Sequence, residues 1–171
     1  MTLHRAAIGI GGNIGERQAA LAGALAGLEG AEGLRLLAAS SAWETPPWGD
    51  TDQAPFLNAC ALVETTLAPR ALLETLLGIE AALGRARDKA RRWGPRLIDL
   101  DLLWHGAGAV NEPGLELPHP RMLDRAFVLV PLAEIAPGLE IGGRSIADWA
   151  EAADRDGMTC LGPAPVPAAL G

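Results

Sequence analysis

The chain has 171 residues and is 49% hydrophobic, enough for one domain with a real core. A formal net charge of −7 argues against nucleic-acid binding through a general basic surface, and Cys60 and Cys160, the only cysteines, lie too far apart in sequence to suggest a disulfide framework or a zinc site. Apolar runs are broken well short of the roughly 20 residues of a membrane span, and MTLHRAAIGIGGN has no signal-peptide pattern, so a cytoplasmic protein without membrane contact is expected.

In chain order, AAIGI at 6–10 reads as a buried strand followed by the turn GGNIG. Leucines at 21, 25 and 28 mark a helix that stops at Gly30 and Gly33. LRLLAASSAW reads as a second strand, and ETPPWGDTDQAP, with three prolines and a glycine, as a loop. FLNACALVETT is a third strand that puts Phe56, Asn58 and Cys60 on one face and Leu57, Ala59 and Ala61 on the other. Pro69 suits the first turn of a helix running to about Leu83. Glu80 falls inside its apolar arc, where a charge does not belong unless the last turn protrudes beyond the core.

An arginine-rich segment follows, then the strand LIDLDLLW, a hairpin around AGAVNEPGLEL and a helix opening at HPRMLDRAF. The Pro- and Ala-rich end, residues 160–171, is expected to be a mobile tail on a domain spanning 1–159. The order β-α-β-β-α-β predicts an α+β, ferredoxin-like fold: an antiparallel sheet with helices packed on one face, in a single domain with additions. Fold alone does not give function.

Six of the fourteen Lys and Arg residues crowd into positions 85–96, which on an acidic protein fits either a local polyanion such as a nucleoside triphosphate or a solvated loop. Lys89 is the only lysine, so a P-loop is excluded. Asp99 and Asp101 project from one face of their strand, with Cα atoms roughly 6 to 7 Å apart, while Ile98, Leu100, Leu102 and Trp104 fill the other. Two like charges so close need a counter-charge. Magnesium, held by one or two carboxylates plus substrate phosphates, would supply it, and so would Arg92 or Arg96. Phe56 and Asn58 share a face and could hold a flat heterocycle with an amide-like edge, with Phe127 as a second plate; both phenylalanines could equally be core.

The blocks GGN (11–13), ETPPWG (44–49), FLNA (56–59), IEAALGR (79–85), RRWGPRLIDLDLL (91–103) and LPHPRMLDRAFVLVPLAEIAP (117–137) together resemble the 6-hydroxymethyl-7,8-dihydropterin pyrophosphokinases of folate biosynthesis. The resemblance implies transfer of diphosphate from ATP to the pterin hydroxymethyl group, releasing AMP, with Asp99 and Asp101 holding two magnesium ions. It implies that Arg85 and Arg96 contact the transferred phosphates, and that Glu80, Arg87, His119 and Arg125 lie on the ATP side. Thr45, Pro46, Trp48, Phe56, Asn58, Trp93 and Phe127 would serve the pterin, with Trp93 on a loop that closes over the site. ATP and the pterin are then the expected partners, and the charge favours a monomer. The sequence departs from the family pattern in Gly12, where a serine is usual, in Trp48, and in one extra residue between Arg87 and Arg92.

Overall fold

The small and β-branched side chains of His4–Gly12 form β1, which lies inside the principal sheet between its neighbours. The computed structural model describes residues 2–47, 52–84 and 98–167. The chain continues through α1 (Arg17–Gly30), β2 (Leu34–Ala39), β3 (Ser41–Thr45), β4 (Phe56–Thr65), α2 (Pro69–Ala82) and β5 (Asp99–His105). A hairpin of β6 (Val110–Glu112) and β7 (Leu115–Leu117) and a 3₁₀ turn (Met122–Asp124) lead to α3 (Ala126–Ile135). Then come the two-residue strands β8 (Glu140–Ile141) and β9 (Arg144–Ser145), α4 (Ile146–Ala152) and β10 (Thr159–Pro163).

The strand order β10-β3-β4-β1-β5, with β2 also on β4, is antiparallel throughout and contains the expected ferredoxin-like core. The ten-residue β4 carries β1 along one side, and β2 and β3 in succession along the other. The single strand expected over 34–43 is therefore two. The break falls at Ser40, whose backbone N–H and hydroxyl both bond to Cys60 backbone atoms.

Helices cover both faces of the sheet, not one as the core pattern predicts. Leu21, Leu25 and Leu28 of α1 and Leu72 and Leu76 of α2 pack on Ile8, Ala59 and Leu100. Each such leucine contributes roughly 1.5–3 kcal/mol relative to exposure. On the opposite face, Val128, Leu129 and Leu132 of α3, with Ile146 and Ala150 of α4, cover Ala7, Cys60 and Leu103. α3 is apolar nearly all round because it is sandwiched, so its sequence carries no one-sided stripe to announce the second layer.

Ile98, Leu100 and Leu102 face α1 and α2 as alternation predicts, but Trp104 does not join them. The β1–β5 register slips between Ala7 and Ile8, so Leu103 bulges and Trp104 packs with it on the α3 side. The helix expected from the HPRMLDRAF segment begins as the short 3₁₀ turn and becomes α-helical only at Ala126. Residues 160–163, expected in a mobile tail, instead lie in β10, where Cys160 pairs with Trp43 and Pro163 with Ser41. The unpaired edge of β3 accepts this segment, and Ala164 behind it is buried.

Candidate active site

Asp99 and Asp101 stand on the α3 face of β5, opposite Gly11 and Gly9 of β1. On the other side of β1, Gly11 pairs with Asn58 and Gly9 with Cys60. One row thus runs Asp99, Gly11, Asn58 across three strands, spanning about 10 Å at ordinary strand spacing. The middle of the row has no side chain. Asp99, Asp101, Gly9, Gly11 and Asn58 all line one pocket, so the two glycines make its floor from bare backbone. A Cβ on Gly11 would fall 2.5 Å from Asn58 Oδ1. Sequence reasoning placed Gly9 in a strand and Gly11 in a turn and assigned neither to the site. The available signal was glycine within a strand, which marks close approach of another group to the backbone.

The wall across the floor from the aspartates is made by β3, β4 and α3. Thr45 pairs with Phe56 across β3 and β4, and Asn58 Nδ2 donates a 2.7 Å hydrogen bond to the buried Thr45 Oγ1. Pro46, Phe56 and Phe127 also line the pocket. The turn ahead of β4 is held by Asn13, whose amide donates to Gln53 Oε1 and Ala54 C=O, so the GGN segment ties the β4 entry in place. Arg125, in the residue before α3, is buried and also lines the pocket, its guanidinium 5.4 Å from the centre of the Phe127 ring. Burial lowers its pKa, while Asp101 and Asp99 act in the opposite direction.

A second cavity lies beyond the aspartates. It is lined by Glu80, Asp99, Asp101 and His119, with Leu77 and Glu116 among its walls. Glu80 is buried and accepts a 2.6 Å bond from the Leu100 N–H, so the last turn of α2 docks on β5 and does not protrude. His119 donates its backbone N–H to Leu103 C=O, and its side chain accepts from Arg121 N–H. Burial, then the Arg125 and Arg121 charges, lower its pKa, with Asp99 opposing. The structure therefore gathers Thr45, Pro46, Phe56, Asn58, Arg125 and Phe127 on one side of the acidic pair and Glu80 and His119 on the other. Arg125, expected on the ATP side, lines the first pocket beside Phe127. Trp48, Arg85, Arg87, Trp93 and Arg96 lie outside the described residues.

The sequence model of the 7,8-dihydro-6-hydroxymethylpterin-pyrophosphokinases (HPPK) matches residues 7–137. The chain belongs to this family. An HPPK relative from Methylorubrum extorquens, named 2-amino-4-hydroxy-6-hydroxymethyldihydropteridine pyrophosphokinase, is 51% identical over 90% of this chain and 96% of its own length. One of the same name from Synechocystis sp. is 43% identical over 92% of this chain and 73% of its own length. The chain is accordingly a transferase of the pyrophosphokinase class. Among solved structures, a Plasmodium falciparum HPPK-DHPS with pterin and p-hydroxybenzoate superposes on 93% of this chain with a TM-score of 0.71 at 12% identity. That likeness shows the shared HPPK fold, and this chain spans 47% of that longer one. Among the described residues no helix is long and apolar enough to cross a membrane.

Proposed function

We propose that the chain transfers the β,γ-diphosphate of ATP to the hydroxymethyl group of 6-hydroxymethyl-7,8-dihydropterin, yielding the pterin diphosphate and AMP in folate biosynthesis. The observation that carries this reading is the position of Asp99 and Asp101, which line both cavities and so stand where a ring-binding pocket meets a second groove. A reaction joining two substrates needs its charge-handling groups at such a junction.

The donor set fits magnesium. No group of three or more His, Cys, Asp or Glu side chains arranged to hold a metal occurs among the described residues. The paired carboxylates supply only part of a shell of hard oxygens, and a cation that takes its remaining oxygens from phosphate and water suits them. Asp99 and Asp101 would hold two such ions, whose chemistry is to neutralise phosphate charge and orient the triphosphate.

Phe56 and Phe127 offer apolar ring faces to the pterin. Asn58 is fixed by Thr45, which leaves its Oδ1 over Gly11 to accept from the amide-like edge of the heterocycle. The backbone floor lets the ring lie close to the sheet. The hydroxymethyl oxygen attacks the β-phosphorus, the bond from that phosphorus to the oxygen of the α-phosphate breaks, AMP leaves with that oxygen, and the hydroxyl proton is released. Glu80 and His119 border the nucleotide groove. Arg125, between the aspartates and Phe127, adds positive charge where the two substrates meet. Arg85 and Arg96 would contact the transferred phosphates, Arg87 would lie on the ATP side, and Trp48 and Trp93 would serve the pterin. The catalytic unit runs through β10 and acts as a cytoplasmic monomer without nucleic acid or membrane.

The test is incubation of the purified protein with ATP, magnesium and the pterin, followed by separation of the nucleotides. AMP formed in step with pterin diphosphate is expected. Accumulation of ADP, or no turnover by folded protein, would refute the reading.

A further inference from the structure

The HPPK sequence match ends at residue 137, yet the chain returns to the pocket twenty residues later. After α4 the backbone makes a tight turn in which Asp156 N–H bonds to Asp154 Oδ1 and Met158 N–H to Arg155 C=O. Gly157 occupies the third position of that Arg155–Met158 turn with φ +79°, where glycine is favoured. The turn then feeds β10, whose Thr159 pairs with Glu44, the residue before Thr45.

Gly157 meets Pro46. A Cβ at 157 would lie 2.6 Å from Pro46 Cγ and 3.4 Å from Cδ. These are ring atoms closed on the backbone, so beyond a change of ring pucker Pro46 yields only by moving its backbone. Away from this contact the two segments part around a cavity bordered by Pro47, Asp154, Met158 and Phe127. The turn and the pocket wall thus meet at a glycine against a proline, and the neighbouring Thr45 holds the Asn58 amide.

We propose that Gly157 is a positioning residue for the pterin pocket, allowing the C-terminal turn to seat against Pro46 and fixing Thr45 and Asn58 behind it. The proposal rests on the pterin reading of that pocket. A side chain at 157 displaces Pro46, the wall moves as a unit with β3, and the pterin loses its fit while the nucleotide groove beyond the aspartates is untouched.

The experiment is calorimetric titration of the full chain with the pterin in the presence of magnesium and a non-hydrolysable ATP analogue, and with the analogue alone, alongside steady-state kinetics. Gly157→Ala is expected to weaken pterin binding about tenfold, a loss near 1.4 kcal/mol, and to raise the pterin KM while kcat and analogue affinity hold. Gly162→Ala is the control: Gly162 has φ +97° and nothing within 4 Å of its Cβ position, so it carries the backbone strain without the contact. Gly157→Asn tolerates the positive φ but keeps a Cβ, and should show the same affinity loss if the alanine variant does not fold. In a Pro46→Ala background, adding Gly157→Ala should cost little more. Equal pterin affinity in Gly157→Asn and wild type, or equal losses in Gly157→Ala and Gly162→Ala, would overturn the proposal. Wild-type protein that binds the ATP analogue but no pterin would overturn the pterin reading itself, and the proposal with it.

Discussion

The Glu80 carboxylate accepts a hydrogen bond from the Leu100 backbone N–H, joining the end of α2 to the edge strand between the two aspartates. The bond is buried and charge-assisted, and its loss leaves a backbone donor without this acceptor. Glu80→Ala should therefore cost about 1–3 kcal/mol of stability, seen as a thermal midpoint lowered by roughly 2–4 °C per kcal/mol. Glu80→Gln, which keeps a carbonyl acceptor, should recover most of it. An unchanged midpoint in Glu80→Ala would show that the bond does not hold the strand.

Asp99 and Asp101 are only partly buried and line both cavities, so alanine at either should leave the fold intact. Turnover should fall by about 100-fold or more, the scale of losing one electrostatic stabiliser of the transition state. The check is AMP formation across a magnesium series, with circular dichroism for folding. Full turnover by Asp99→Ala would remove the metal assignment.

Gly11→Ala tests the floor. Its Cβ would collide with Asn58 Oδ1 and press the amide away from Thr45. Pterin affinity should drop about tenfold, with binding of an ATP analogue retained, in paired titrations. Equal weakening of both ligands would point to general sheet disruption.

His105 predicts a pH dependence of stability. Its ring is buried, with Nε2 2.9 Å from Leu67 C=O and Nδ1 accepting from Ala107 N–H, an arrangement a neutral imidazole satisfies. Burial lowers its pKa below the usual 6.5; the Leu67 carbonyl opposes this and His4 adds to it. Because the folded value is the lower one, the unfolded chain binds the proton first as pH falls. The contribution of His105 is whole above the unfolded pKa and is lost as pH drops from about 6.5 toward the folded value. Urea midpoints should be lower at about pH 5.5 than at about pH 7.5, and His105→Asn should reduce that difference.

Cys60 is fully buried with its pKa pushed far up, first by burial and then by Glu134 and Asp101, and its Sγ lies 3.5 Å from Val128 C=O. Cys160 is exposed. A thiol reagent should label one cysteine quickly in the native protein and both in denaturant. Fast labelling of Cys60 in native protein would mean that the pocket floor opens readily.

Period-two alternation was enough to place Asp99 and Asp101 on one face, because the strand is regular up to Leu102. It failed at Trp104, because one bulged residue reverses every side chain after it. Phe56 and Asn58 were legible as neighbours on one face of a strand, but Thr45 read as loop and entered the pterin set only through the family resemblance, because its place beside them depends on β3 pairing with β4. The second helical layer was hidden by the all-round apolar sequence of α3. β10 was hidden because its TCLGP sequence looks like turn material, and only the free edge of β3 makes it a strand. Glu80 drew notice as a misplaced charge, but its acceptor role depends on a strand twenty residues away.

The backbone floor at Gly9 and Gly11 also has an entropic side. A ligand resting there immobilises no rotamers beneath it, so the ordering cost of binding falls on the surrounding walls. Those walls include residues already fixed before a ligand arrives, such as Asn58 on Thr45. Selectivity among flat heterocycles must then come from the rim, since the floor has no side chain with which to distinguish one ring from another.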